Sequence, residues 1–267
     1  MNKKLVGSIL YFLFLAGLLS CLQDETNIDD RKEESDLVDP AGLYKFLNQQ
    51  TDGSFSLTNS ANVYSQEMEG TAKVEGAFYN AAMKSSANGV SGTATIGGID
   101  VFDPNLQASL PTATTKLADA LYGTDVEFVI KPATAKTAIL DTMYVPRKIR
   151  LRNIPDPVKE TYFYAGQTFT WEADPKNAKG VVIIVKYTPV ENNKRIRDLQ
   201  SREILWLKNV PDTGTFTLTQ DLFKDIPNDA FIMLSIARGN YQYTGSGDVD
   251  IFSIYAYTIV NMGGYSK

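Results

Sequence analysis

The sequence predicts an all-β protein made of two β-sandwich domains that follow an acidic, disordered tether. Short runs of alternating apolar and polar residues recur through most of the chain. They are separated by Gly, Asn, Asp and Pro, which is the pattern of strands joined by turns. With 267 residues and 43% hydrophobic content, the chain is long and apolar enough to bury two cores.

The first twenty residues, 1–20, have the order of a secretory signal peptide. Lys3 and Lys4 precede an apolar run that ends at Leu19, and the small Ser20 stands directly before Cys21. The run is shorter than the about 20 residues that a membrane-spanning helix requires. The alternative interpretation is an uncleaved anchor in which the cysteine is buried.

The sequence Leu18-Leu19-Ser20-Cys21 resembles the lipobox of bacterial lipoproteins. This resemblance implies that Cys21 carries fatty acyl groups such as palmitate and becomes the first residue of the mature chain. Two or more acyl chains give stable membrane anchoring, whereas one gives only marginal binding. Because Cys21 is the single cysteine, no disulfide and no cysteine nucleophile are expected.

Residues 21–39 form the predicted tether, in which eight acidic residues face two basic ones. The segment therefore accounts for most of the net charge and leaves residues 40–267 close to neutral. Self-repulsion and few apolar residues predict an extended, unfolded segment. The acids straight after Cys21 resemble the surface-export signal of Bacteroidetes-type lipoproteins, which implies the outer membrane with the protein facing the cell exterior. The alternative is a spacer on a periplasmic lipoprotein.

Residues 40–153 are predicted to form the N-terminal β domain. A short helix is expected over residues 42–50 and another over 114–122, where one face carries Leu117, Ala118 and Leu121. The predicted strands cover residues 54–57, 62–67, 71–79, 92–96, 99–102, 126–130, 138–145 and 148–153.

Residues 154–267 are predicted to form the second domain, because two prolines close the first series of strands at residues 153–159. Trp171 is expected to point into the core. Seven strands in about 110 residues match the count of an immunoglobulin-like sandwich, and this half resembles the Ig/fibronectin-like modules of bacterial surface proteins. A single larger sandwich is the alternative. The predicted strands cover residues 161–165, 167–173, 180–188, 202–208, 214–219, 231–237 and 251–261.

The composition excludes several kinds of chemistry. The chain has no histidine, so a Ser-His-Asp triad, histidine-ligated zinc and histidine proton shuttles are ruled out. An isoelectric point near 4.9 argues against a nucleic-acid partner. Neither a Gly-x-Ser-x-Gly elbow nor a phosphate-binding Gly-Lys loop occurs. The expectation is a protein that is not an enzyme and that holds no cofactor or metal.

Paired carboxylates are the remaining enzymatic option, since two acids in a cleft can hydrolyse glycosides. We interpret each pair as solvated turn residues. The Gly-rich segment 245–250 offers too few oxygens for calcium, which takes six to eight. The pairs are Asp100 with Asp103, Glu172 with Asp174, and Asp248 with Asp250.

Aromatic residues near one strand end predict a binding surface. Tyr241 and Tyr243 lie two positions apart and therefore point to one side of a strand. Exposed tyrosines provide amphipathic contact area for sugars or proteins, and Trp206 is a third candidate. The alternative is that the two tyrosine rings fill an edge of the sandwich.

Two basic clusters predict positive patches for an acidic partner. The first consists of Arg147, Lys148, Arg150 and Arg152, of which the last three are spaced by two on one predicted strand face. Solvated strand faces and loops often have the same composition. The second cluster consists of Lys194, Arg195, Arg197 and Arg202.

These observations favour a non-catalytic lipoprotein of the cell surface that binds or scaffolds a partner. Similar surface lipoproteins accompany Sus-like TonB-dependent nutrient importers, and the resemblance implies an accessory role in such an outer-membrane complex. One alternative is a glycan-binding module that acts alone. Another is an adhesin or fimbria-like subunit, although neither repeats nor a donor strand can be recognised.

Overall fold

The structure is a computed structural model, and most of its described residues lie in β-strands. The prediction of an all-β fold is confirmed. The predicted signal peptide, lipidated Cys21, tether and helix over 42–50 lie outside the described residues. Described are residues 51–63, 67–78, 92–102, 112–133, 135–153, 161–187, 190–191, 194–195, 204–245 and 251–267.

The first half of the chain contributes six strands and one α-helix to the described structure. In chain order they are β1 (Gly53–Asn62), β2 (Glu67–Phe78), β3 (Gly92–Ile96), β4 (Ile99–Asp100), α1 (Thr112–Asp119), β5 (Thr124–Pro132) and β6 (Ile139–Val145).

The second half contributes nine described strands and a short 3-10 helix. They are β7 (Tyr162–Phe163), β8 (Thr168–Thr170), β9 (Val181–Tyr187), β10 (Val190–Glu191), β11 (Lys194–Arg195), β12 (Ile204–Val210), β13 (Thr215–Thr217), the 3-10 helix (Gln220–Phe223), β14 (Phe231–Gly245) and β15 (Ile251–Ser266).

One large sheet runs through the described part of the chain, with the strand order β12-β9-β14-β15-β1-β2 and with β7 beside the end of β15. The strands β14 and β15 form a long antiparallel hairpin. The strand β15 also pairs in parallel with β1, from Gly53 opposite Phe252 to Asn62 opposite Asn261. The first and last described strands are therefore neighbours in the sheet, and β2 follows β1 at the end of the described strand order.

Two hydrophobic cores lie along the same face of this sheet. The first fills the space beneath a four-stranded sheet in the order β4-β3-β5-β6, and it includes Phe55, Phe128 and Ile254. The second lies beneath the pair β8-β13 and the 3-10 helix, and it includes Trp171 and Met262. The fold is a pair of sandwiches that share one sheet.

A row of buried polar side chains separates the two cores. Arg238, Thr258 and Asn59 lie side by side on β14, β15 and β1, because Thr258 is the cross-strand partner of both others. The Thr258 hydroxyl donates to Asn59 Oδ1 at 3.1 Å and accepts a long bond of 3.4 Å from the backbone N–H of Ile149. The chain that leaves β6 therefore passes over this row.

Most predicted strands coincide with observed ones, and β3 has the predicted bounds. Trp171 is 2% exposed, as expected for an inward side chain. The helix α1 begins and ends earlier than predicted, and Leu117 is 61% exposed instead of facing the core with Ala118.

The strand predicted over residues 148–153 is irregular chain with one isolated bridge, between Leu151 and Trp171. Backbone groups of this segment form hydrogen bonds outside a regular strand ladder. The carbonyl of Lys148 accepts from Arg238, and the N–H of Arg152 donates to the Thr170 carbonyl. A regular ladder therefore does not form.

The predicted domain boundary at residue 153 falls between the two layers that cover the large sheet. The sheet itself combines strands from both sides of that boundary, since β1 and β2 precede it and β9, β12, β14 and β15 follow it.

Candidate functional site

Four tyrosines lie together on the face of the large sheet that is turned away from both cores. Tyr241 and Tyr243 belong to β14, and Tyr255 and Tyr257 belong to β15. Residues two apart on a strand share a face, and the even-numbered neighbours Asn240 and Arg238 bond to groups on the core side. We call these four residues the tyrosine face.

The register of the hairpin places the predicted pair, Tyr241 and Tyr243, beside Tyr255 and Tyr257, which the sequence did not suggest as binding residues. Tyr241 lies directly opposite Tyr255, and Gly239 lies opposite Tyr257. A Cβ atom at position 239 would come within 2.8 Å of Tyr257 Cβ and 2.6 Å of the Ala256 carbonyl oxygen. Glycine at this position therefore gives the Tyr257 side chain the space it occupies.

The rings of Tyr255 and Tyr257 are parallel. Their planes differ by 5° and their centroids are 6.4 Å apart. Two residues of an antiparallel strand advance the chain by about 6.8 Å, so the rings follow one another at the repeat of the strand. They form an ordered aromatic surface, flanked by Tyr241, rather than an irregular cluster.

The neighbouring strands β1 and β2 add polar groups beside the tyrosines. Ser56 is the cross-strand partner of Tyr255, and Thr58 is the partner of Tyr257. Farther out, the exposed Lys73 and Glu75 lie opposite these two hydroxyl residues. Of these groups, Ser56 is 3% exposed and therefore buried, Thr58 is half-buried, and Lys73 and Glu75 are open to solvent.

The tyrosine face is partly accessible to solvent. Tyr243 is 37% exposed, and the other three side chains are half-buried. Partial burial and the nearby Tyr241 raise the pKa of the Tyr243 phenol. The hydroxyl therefore stays protonated at neutral pH and can donate as well as accept a hydrogen bond.

The third predicted aromatic residue, Trp206, lies on a different surface. It pairs with Val185 of β9, whose side chain is buried in the second core, and Trp206 itself packs against that core. Alternation along β12 therefore directs Trp206 to the core side of the sheet. The structure does not bring it together with Tyr241 and Tyr243.

The predicted basic patch is divided among different environments. The Lys148 ammonium bonds to the Asp119 carboxylate and lies 5.5 Å from the centre of the Tyr122 ring. The guanidinium of Arg147 lies 3.7 Å from a carboxylate oxygen of Glu172. Arg147, Arg150 and Arg152 are exposed, whereas Lys148 is half-buried.

The candidate carboxylate pairs have structural partners where they are described. Asp100 accepts the backbone N–H of Phe102 at 2.9 Å, as in a turn. Among the described residues, no group of three His, Cys, Asp or Glu side chains is arranged to hold a metal ion. Asp103, Asp248, Asp250, Arg197 and Arg202 lie outside the described residues, and the side chains of Lys194 and Arg195 are not described.

A buried polar cluster joins the two sandwiches. Asp174 is 1% exposed, and its carboxylate accepts the Tyr144 hydroxyl at 2.8 and 2.9 Å and the backbone N–H of Arg147 at 2.8 Å. Tyr144 belongs to β6 of the first sandwich, whereas Asp174 precedes β9 of the second. Because its carboxylate is bound by protein donors, we interpret Asp174 as a structural residue.

The Tyr144–Asp174 pair predicts a loss of stability at high pH. Burial, and then the hydrogen bond to Asp174, raise the pKa of Tyr144 above its usual value of about 10. The folded state then holds this proton more tightly than the unfolded state, so the contribution is complete below about pH 10 and is lost as pH rises further. Urea unfolding between pH 8 and 11 should show a falling free energy of unfolding.

The control for this measurement is Tyr144→Phe. The variant should be less stable by about 1–3 kcal/mol at pH 8, because Asp174 loses its hydroxyl donor. It should also lose stability less steeply above pH 10 than the original protein. Equal slopes for both proteins would contradict the assignment to Tyr144.

A second set of aromatic residues was also missed by the sequence analysis. Phe231, Tyr265 and Tyr162 form a row across β14, β15 and β7, with centroids 5.6 and 6.0 Å apart. The Tyr265 ring is steeply inclined to the Phe231 ring, at 77°. This row lacks the parallel arrangement of Tyr255 and Tyr257. Alternating aromatics in β15 were the available signal for Tyr255 and Tyr257, whereas only the strand register brings Phe231, Tyr265 and Tyr162 together.

No protein-family model and no curated protein matches the chain. Within the part of the chain that the structure describes, no helix is long and apolar enough to cross a lipid bilayer.

Proposed function

We propose that this chain is a non-catalytic, lipid-anchored protein of the bacterial outer membrane that binds or scaffolds a partner, as an accessory component of a nutrient-uptake complex. Its contact surface in this proposal is the tyrosine face. The single observation that carries the proposal is the ordered set of four tyrosines on a sheet face turned away from both cores.

Tyrosine is well suited to such a surface. It supplies a large contact area, loses little conformational entropy on binding, and is enriched among residues that dominate binding energy. The backbone beneath the face is held by continuous pairing of β14 with β15 and of β15 with β1. A rigid scaffold keeps the rings in place before the partner arrives, which lowers the entropic cost of binding.

The location in this proposal rests on the sequence. The lipobox-like segment ending at Cys21 supports an acylated anchor, and the acidic residues after it support export to the outer leaflet. The 18 tether residues that follow Cys21 span about 60 Å when fully extended. The body would then stay close to membrane-embedded neighbours such as a TonB-dependent barrel.

Co-purification from native membranes tests the proposal. The tagged protein, extracted in mild detergent, is expected to bring down an outer-membrane barrel that mass spectrometry identifies. Tyr255→Ala should reduce the recovered barrel by about tenfold, the effect of losing one well-packed contact residue.

The matched control is Tyr164→Ala. Tyr164 is 48% exposed and lies between β7 and β8, outside the tyrosine face. The substitution should leave the recovery unchanged. Isolation of the protein alone, under conditions that keep known outer-membrane complexes intact, would count against the proposed association. Equal recovery of the barrel with both variants would mean that the contact surface lies outside the tyrosine face.

A further inference from the structure

We infer that the edge strand β12 pairs with β12 of a second copy of this chain, so that two large sheets join into one across a two-fold axis. This inference goes beyond the proposed function, because it uses a different surface and does not require the tyrosine face to bind a partner. The second copy is identified as the partner by the register in which β12 matches itself.

The strand β12 lies at one end of the large sheet. It pairs with β9 on one side over all seven of its residues. Among the strands that the structure describes, none lies on its other side. Because successive residues of a strand direct their backbone groups to opposite neighbours, about half of the N–H and C=O groups of β12 point to this open edge. An added strand can bind there through main-chain hydrogen bonds.

The side chains of β12 are apolar on both of its faces. Ile204 and Trp206 pack against the second core, whereas Leu205 and Leu207 alternate to the opposite face of the sheet. Lys208 is the single charged residue of the strand. Strands with apolar residues on both faces are typical of the interior of an assembly rather than of a free edge.

The strand β2, at the other end of the described order, has the usual protection of a free edge. Its Lys73 and Glu75 are exposed, and its register with β1 shifts between Ser60 and Asn62. Charges and irregularities of this kind discourage pairing with a further strand. The strand β12 has no acidic residue and pairs with β9 without a shift. The difference between the two edges indicates that β12 is the one that is paired in the assembled protein.

One antiparallel register pairs all seven residues of β12 with those of a second copy. In this register Leu207 lies opposite Leu207 of the second copy, on the two-fold axis. Trp206 then lies opposite Lys208 of the second copy on the same face of the joined sheet, and the symmetry repeats this contact. Lys208 is exposed and Trp206 is half-buried, so the ammonium can reach the indole ring, the aromatic group that attracts cations most strongly.

The symmetry of this pairing limits the assembly to two copies. The same strand serves on both sides of the contact, so the interface is closed and does not propagate into a filament. The two-fold axis of an antiparallel strand pair is perpendicular to the sheet. Both copies therefore direct their cores to one side of the joined sheet and their tyrosine faces to the other.

Disulfide cross-linking of the full chain in native membranes tests the register. Leu207→Cys places two thiols opposite each other, where paired Cα atoms are about 4.5–5.5 Å apart, within the range of a disulfide. In the matched control, Leu205→Cys, the two thiols are offset by four residues, about 13–14 Å along the strands. After mild oxidation, Leu207→Cys should give about tenfold more cross-linked dimer than Leu205→Cys on a non-reducing gel. The original protein, whose single cysteine is Cys21, sets the background.

A second pair of variants measures the dimer without a cross-link. Leu207→Lys places two like charges opposite each other and should weaken dimerisation of the detergent-extracted full chain by about tenfold, measured by light scattering. Leu140→Lys makes the same change on β6, the end strand of the four-stranded sheet, where Leu140 is 65% exposed. This control should dimerise like the original protein. The thermal transition of each variant shows whether it is folded.

Three results would overturn the inference. They are a monomer at every concentration of the original protein, equal cross-linking of Leu205→Cys and Leu207→Cys, and cross-linking of Leu207→Cys to a different protein. A dimer that brings down no outer-membrane barrel would contradict the proposed function and leave this inference intact. A barrel recovered with a monomer would do the reverse.

Discussion

Replacing Arg238 by methionine should lower the free energy of unfolding by about 3–5 kcal/mol, because it leaves a buried carboxylate without its counter-charge. Arg238 Nη1 donates to Asp212 Oδ2 at 2.7 Å, and the two side chains are 0% and 2% exposed. Guanidinium-induced unfolding followed by tryptophan fluorescence measures the change.

The partners of Arg238 explain the size of this effect. Its Nη2 donates to the carbonyl of Glu172, which follows β8, and more weakly to that of Lys148 in the irregular chain that crosses the sheet. Asp212 also accepts the Trp171 indole N–H at 2.9 Å. Loss of Arg238 therefore disturbs the crossing chain and the second core together, at the row that separates the cores.

Arg147→Met is the matched control, since it removes the same functional group from an exposed ion pair. Arg147 and Glu172 are about half exposed at 3.7 Å, and such pairs contribute about 0–1 kcal/mol. If the two methionine variants were destabilised equally, the buried pair would not be the reason for the loss.

The strands were predictable because alternation is a local signal. The pattern in Gly92–Ile96 gave β3, and the sequence around Trp171 indicated an inward side chain that is indeed buried. The tyrosine pair at 241 and 243 was recognisable for the same reason. Each of these features depends only on residues within a few positions of one another.

The arrangement of the strands in the sheet was not predictable in this way. The parallel pairing of β1 with β15 joins residues about 200 positions apart, and no local pattern marks it. Trp206 was grouped with the tyrosines because the sequence does not reveal that β9 separates β12 from β14. Arg238 resembles a surface arginine in sequence, and only the register places it between two cores.

Because the two sandwiches share a sheet, the fragment 154–267 should not fold by itself, although the sequence predicts a domain there. In the full chain, β15 pairs with β1 over ten residues. The fragment also leaves Phe252 and Ile254, which are 1% and 0% exposed, without the layer that covers them. Exposing each such side chain costs about 1.5–3 kcal/mol, out of a typical total of 5–15.

The comparison is between this fragment and residues 40–267, which lack only the signal peptide and tether. The longer chain should give a single cooperative thermal transition and no dye binding at 25 °C. The fragment should aggregate or bind the hydrophobic dye ANS, because the unpaired edge of β15 and its apolar face become exposed. A cooperative transition in the fragment would instead mean that β9, β12, β14 and β15 suffice with β8 and β13 for a stable sandwich. In that case β1 and β2 would be an addition to an independent domain, and the polar row at Arg238 would mark its border.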